Sequence, residues 1–228
     1  MKPVFLYASV AMCVSACGGS STSFSFEPIE VPTFNASALT PSLPIETQRA
    51  TTPGIPAYDS SFALLTSGRS QLFRVDALGL TIPNEIPRSG SAVFEGTIVL
   101  QDESLTQSAS VHGGLQMTVD FADAEKVTGR AGNFFDGSSD PVDGTLTLSE
   151  VEFSEGTSGG GFVGTLNGRL TNVGGSGLNG TYDYDLTYAS IYYGAGVEGM
   201  LALAGGTATQ LSDQSVHDIT GGSTMERQ

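Results

Sequence analysis

From Gly90 onward the chain alternates. Ala92, Phe94, Gly96, Ile98 and Leu100 interleave with Val93, Glu95, Thr97 and Val99. In a strand, successive side chains point to opposite faces, so this period of two predicts a strand with one face turned to a core. Leu115, Met117, Val119 and Phe121 repeat the pattern, with Gln116, Thr118 and Asp120 facing out. Further strands are expected at about Lys126 to Asn133, Gly144 to Phe153, Gly161 to Leu170, Asn179 to Tyr188 and Val197 to Leu203. A last short strand near Thr207 to Leu211 brings the number to eight. In the fourth, the apolar phase moves from Leu146 and Leu148 to Val151 and Phe153, which is what one extra residue in a β-bulge produces. Turns rich in Gly and Asp separate the segments, among them Phe135-Asp136-Gly137 and Gly174-Gly175-Ser176-Gly177. Short antiparallel strands at such regular spacing predict a closed barrel or a sandwich, and closure removes the edges that promote aggregation.

Upstream the pattern weakens. Two apolar stretches, Phe62 to Leu65 and Leu72 to Ile82, are expected to be strands, so 58–89 reads as a β segment leading into the barrel at 90–211. No stretch shows a persuasive amphipathic helical period. Before it, 17–57 is rich in Ser and Thr and carries Pro28, Pro32, Pro41, Pro44, Pro53 and Pro56. Prolines block both helix and central-strand pairing, which predicts an extended, disordered tether. The polar segment 212–228 is expected to fray.

The first residues explain what a tether would serve. Lys2 precedes a short apolar run from Val4 to Val14, and Val14-Ser15-Ala16-Cys17 follows. A charged start, a run too short to span a bilayer and a small-residue exit describe a secretory signal over 1–16. An aliphatic residue and two small ones before cysteine describe lipoprotein processing, with a diacylglycerol on the Cys17 thiol. Cys13 is the competing position, but bulky Met12 precedes it. Gly18, where aspartate would signal inner-membrane retention, points to the outer membrane. Membrane-spanning barrels alternate too. Here, however, the chain ends in Arg227-Gln228 rather than an apolar aromatic strand, and a lipid anchor would be redundant. The expected fold is therefore all-β: an eight-stranded antiparallel soluble β-barrel behind a disordered tether.

Composition narrows the partners. The formal charge is -15 and the isoelectric point about 4.2, a surface that repels nucleic acid. The chain holds 2 cysteines, Cys13 and Cys17, so no disulfide framework is expected in the mature domain.

Few segments carry chemistry. Gly156-Thr157-Ser158-Gly159-Gly160 spells a nucleophile elbow, but it sits in a glycine-rich hairpin and reads as a turn. Asp136, Asp140 and Asp143 cluster in DGSSDPVDG, yet miss the spacing of a calcium loop. Gly174 to Thr181 resembles one calcium-binding nonapeptide, but such repeats need stacked neighbours. His112 and His217 are the 2 histidines, which argues against structural zinc or iron. No convergent acid, base and nucleophile set emerges, so no enzyme, metal or cofactor is expected. Of 7 tyrosines, Tyr182, Tyr184 and Tyr188 share a strand face and are expected in the core. Tyr192 and Tyr193 are expected in a following loop, as an exposed contact patch.

Three segments resemble the barrel domain of transferrin-binding protein B and its relatives, including the factor H-binding lipoproteins and the transferrin-binding protein-like solute-binding proteins. They are the opening strand SGSAVFEGTIVL, the hairpin LQMTVDFADAEKVTGRAGNF and the stretch GLNGTYDYDLTYASIYYGAGVEGMLALAGGT. At Ser190 to Gly194 the chain departs from the relatives' Phe-Tyr-Gly-Pro loop, and it has room for a single barrel, so transferrin binding does not carry over. The resemblance implies an eight-stranded barrel on an outer-membrane or surface lipoprotein. Such a module is expected to capture a protein or small ligand, in metal or haem acquisition. The alternative is an envelope lipoprotein that docks to outer-membrane machinery with no soluble ligand.

Overall fold

The computed structural model describes residues 51–103, 109–122, 126–156, 159–172 and 179–228. Eight antiparallel strands run through them in sequence order: β1 Ser91–Asp102, β2 Ala109–Asp120, β3 Lys126–Asp136, β4 Pro141–Gly156, β5 Gly159–Asn172, β6 Gly180–Tyr193, β7 Gly199–Gln210 and β8 Val216–Arg227. Each pairs with its neighbour, and β1 pairs with β8 from Phe94 opposite Arg227 to Asp102 opposite Ile219, so the sheet closes into a barrel.

The interior is filled by the alternation seen in the sequence. Phe94, Ile98, Leu115, Met117, Leu146, Phe162, Leu166, Leu186, Tyr188 and Met225 are fully buried. An eight-stranded barrel is just wide enough inside for side chains to fill it. Tyr188 stacks on Phe162 with ring centroids 6.1 Å apart. The expected bulge is present: the β4–β5 register shifts between Ser149 and Glu152, and Glu150 has φ 52°. Val151 and Phe153 are thereby turned toward the core.

Three expectations need correction. The eighth strand is not the short segment at Thr207 to Leu211, which continues β7 through Gly205 and Gly206 without a turn. It is β8, drawn from the segment expected to fray. β8 shows little apolar alternation because it faces large side chains from β6. The Tyr188 hydroxyl meets Ser223 Oγ, so a small polar residue stands where a strand usually carries a large apolar one.

Second, 58–89 is not a β segment. Ser61–Ala77 is a helix, α1, capped by Ser60, whose hydroxyl accepts from the Ala63 N–H at 3.2 Å. Its buried stripe is Ser61, Leu64, Gly68, Gln71 and Val75, spaced as a helix requires. Three of those five are small or polar, so no apolar period marks the helix. α1 lies across the outside of β8 and β1. Gly68 permits the approach, since a Cβ there would collide with the Thr97 side chain.

Third, the end of the expected tether is part of the domain. Ile55 is buried, and Asn133 holds the backbone around it. Asn133 Oδ1 accepts from the Thr52 N–H at 2.8 Å, and its Nδ2 donates to the Ile55 carbonyl at 3.0 Å. Gly114 leaves room for the Pro56 carbonyl, which a Cβ would strike. The signal segment, Cys17 and the tether up to residue 50 lie outside the described residues.

Asn133→Ala should therefore lower unfolding stability by about 1–3 kcal/mol, through buried carbonyls left without a donor. Urea denaturation of wild type and variant checks this. An unchanged midpoint would mean that the segment at 51–57 does not depend on the barrel.

Candidate binding site

Tyr182, Tyr184 and Tyr188 point into the core as expected, and burial pushes the phenol pKa of all three up. Tyr192 and Tyr193 do not form the expected loop patch. β6 runs on to Tyr193, paired with β7 through Tyr192 opposite Met200, and strand alternation carries Tyr192 inward. Tyr192 is 1 % exposed, its ring 6.3 Å from Phe162, so it is a core residue. Tyr193 is half-buried and bridges to Leu80, in the segment after α1. Burial, reinforced by Asp76, raises its pKa.

The other sequence candidates act as turns where the structure describes them. Asp136 Oδ1 accepts from the Ser138 and Asp140 N–H groups at 2.8 and 2.9 Å. Its other oxygen accepts from Asn172 Nδ2 at 3.4 Å, so this carboxylate closes a hairpin. Among the described residues no three metal-ligating side chains converge. Gly156 pairs with Gly159 across the β4–β5 hairpin, while Thr157 and Ser158 lie outside the described residues, as does most of the nonapeptide-like segment.

A concave site exists elsewhere, on the outer face of the barrel. α1 contributes one wall through Leu65, Gly68, Arg69 and Leu72. The rest comes from Thr97 and Val99 of β1, Leu201, Ala202 and Leu203 of β7, and Gly222, Ser223 and Thr224 of β8. The groove encloses about 430 Å³, within the range of roughly 300–1,000 Å³ typical of ligand sites. Its surface is almost wholly apolar, and Leu203 on its rim is 68 % exposed. Beside it, α1 turns Phe62 and Phe73 outward, 78 % and 63 % exposed. The helix thus buries Ser61, Gly68 and Gln71 alongside Leu64 and Val75, and presents other large apolar residues outward. Arg69 stands over the Phe73 ring at 5.7 Å. Arg74, five residues on, is occupied by Glu226 through two bonds of 2.6 and 2.7 Å. Sequence reasoning missed this site because it missed α1. The usable signal was Ser60 as an N-cap, followed by a run free of proline up to Ile82.

One mouth of the barrel gathers polar groups. Asp102 ends β1 fully buried, and its Oδ2 lies 2.7 Å from His217 Nδ1. His217 Nε2 lies 3.1 Å from Ser215 Oγ, and the Tyr182 ring meets the imidazole edge-on. The sequence pattern did not foresee a serine, a histidine and a carboxylate in the order of an acyl-transfer triad. The Ser215 hydroxyl also reaches Gln210 Oε1 at 3.2 Å, and its N–H, the usual oxyanion donor of a nucleophile, is held by Asp213 at 2.9 Å. These bonds tie the β7–β8 turn to the buried carboxylate and close the mouth.

His112 lies under the start of α1, its Nδ1 2.6 Å from Ser61 Oγ. Burial lowers its pKa, against a smaller opposing pull from Asp136. A folded-state value below the unfolded one means that its contribution is whole above about pH 6.5 and is lost as pH falls below that. The melting temperature of wild type should accordingly drop more between about pH 7 and pH 5.5 than that of His112→Gln. Parallel curves would show that His112 does not carry this dependence.

Searches of family models and of curated proteins return no match to this chain.

Proposed function

We propose that the chain is a lipoprotein anchored through Cys17 to the outer membrane and displayed at the cell surface. In this reading the barrel is a non-enzymatic binding module akin to those of transferrin-binding protein B-like lipoproteins, with the groove beside α1 as its binding face. One observation carries the choice of face: the barrel's inward side chains form one buried apolar cluster, whereas large apolar side chains line a concavity outside it. Contiguous exposed apolar surface of this kind marks an interaction site. The tyrosines able to ligate haem iron, Tyr182, Tyr184 and Tyr188, point into the core, so haem capture is the weaker form of this reading. The convex side of α1 supports a second reading. Phe62 and Phe73 would stay uncovered by a ligand in the groove, and an envelope protein docking on them would cover both.

Two measurements test the proposal. Cys17→Ser should release the protein from the membrane fraction, and protease treatment of intact cells should remove the wild-type domain while sparing a periplasmic control. In vitro, N-phenyl-1-naphthylamine should brighten with the folded wild type and at least threefold less with Leu203→Asp, whose site is exposed enough to keep the fold. Equal brightening with both proteins would remove the groove as the binding face. A protected domain would remove surface display.

A further inference from the structure

We infer that the groove takes a single-chain anionic amphiphile, a free long-chain fatty acid, with Arg69 pairing its carboxylate. This rests on the groove being the binding face, and adds to it the chemistry of the occupant.

The argument begins with charge. The chain carries -15 overall, yet the groove lining holds one charged side chain, a cation, and no carboxylate. Among the described residues no acidic group pairs with Arg69; its recorded neighbour is the Phe73 ring. Arg74 shows what this surface does with a cation that has a local purpose, since both carboxylate oxygens of Glu226 accept from it. An arginine left without an acid at the edge of an apolar trough is complementary to a molecule with an apolar body and one anionic end. The guanidinium fork suits a carboxylate in particular, because both oxygens can be bonded at once.

Shape points the same way. Gly222, which carries no side chain, lines the trough together with Ala202, and their small size leaves room for a flexible alkyl chain. Leu65 and Leu72 of α1 and Leu201 and Leu203 of β7 line the same trough, so methylenes would meet apolar side chains from helix and sheet alike.

The test is isothermal titration of the full domain with palmitate, hexadecanol and decanoate below their aggregation concentrations, with naphthylamine displacement in parallel. Palmitate should bind about 1.5- to fivefold more tightly than hexadecanol, the range expected of one exposed charge pair. Arg69→Gln, which keeps part of the stem over Phe73, should abolish that difference, and Leu203→Asp should weaken both ligands. Decanoate should bind more weakly than palmitate, by up to about fourfold for each methylene lost from the groove. If palmitate and hexadecanol bind equally and Arg69→Gln changes neither, the fatty-acid inference fails while the groove stands. If the probe binds but palmitate does not, the inference fails alone. If no apolar compound binds, both fall. A dimer in sedimentation that Leu203→Asp dissociates would give the groove to a second copy of the chain and overturn the inference.

Discussion

The closing ladder between β1 and β8 is the contact on which the rest depends. Until Phe94 stands opposite Arg227 and Asp102 opposite Ile219, the sheet has two open edges and its inward residues have no opposite wall. Closure brings Tyr188 of β6 against Ser223 of β8, and Asp102 of β1 against His217 of β8. It also creates the outer platform on which α1 lies, because β1 and β8 together form the surface under the helix. A helix that buries Ser61, Gly68 and Gln71 has little hydrophobic reason to form by itself. It is held by a surface that exists only in the closed barrel.

The barrel's inward side chains are committed to the core, and the groove is built mainly from outward ones and α1. Phe162, Tyr188 and Tyr192 pack together inside the barrel, and the concave apolar surface lies on its outer face. α1 converts that surface into a trough and at the same time adds apolar side chains that the core does not use. Burying small residues lets the helix sit close to the strands, and the same turns of helix expose Phe62 and Phe73. Tight seating and an exposed apolar face are two results of one residue pattern.

The polar mouth shows the opposite logic. A fully buried Asp102 needs a partner, since an unpaired carboxylate inside protein is costly. His217 supplies the contact, and Ser215 and Gln210 extend it into the β7–β8 turn. The acyl-transfer order of the three side chains follows from neighbouring strands placing polar residues at one rim, and the hydrogen bonds there are directed at the turn.

Much of the barrel was legible in the chain alone. Alternation placed β1, β3, β4 and β5 to within three residues, and found β2 and β6 but began β2 six residues late and ended β6 five residues early. The slip at Val151 marked the bulge, and three tyrosines on one strand face were readable as core. These features are local, because the period of a half-buried strand is written in consecutive residues. What the chain could not announce was whatever depended on a distant neighbour. β8 carries Ser223 inward because Tyr188 fills the space, so its own pattern looks like a polar tail. α1 buries glycine and glutamine because the strands beneath it are close, so its period is hidden. Tyr192 turned from expected contact to core because β6 continues past Tyr188 along β7. The groove is assembled from residues more than a hundred positions apart, and only closure of the sheet sets Leu65 and Arg69 opposite Leu203. Local periodicity determined the first seven strands; the packing of one strand's bulk against another's absence of bulk decided the eighth, the helix and the groove.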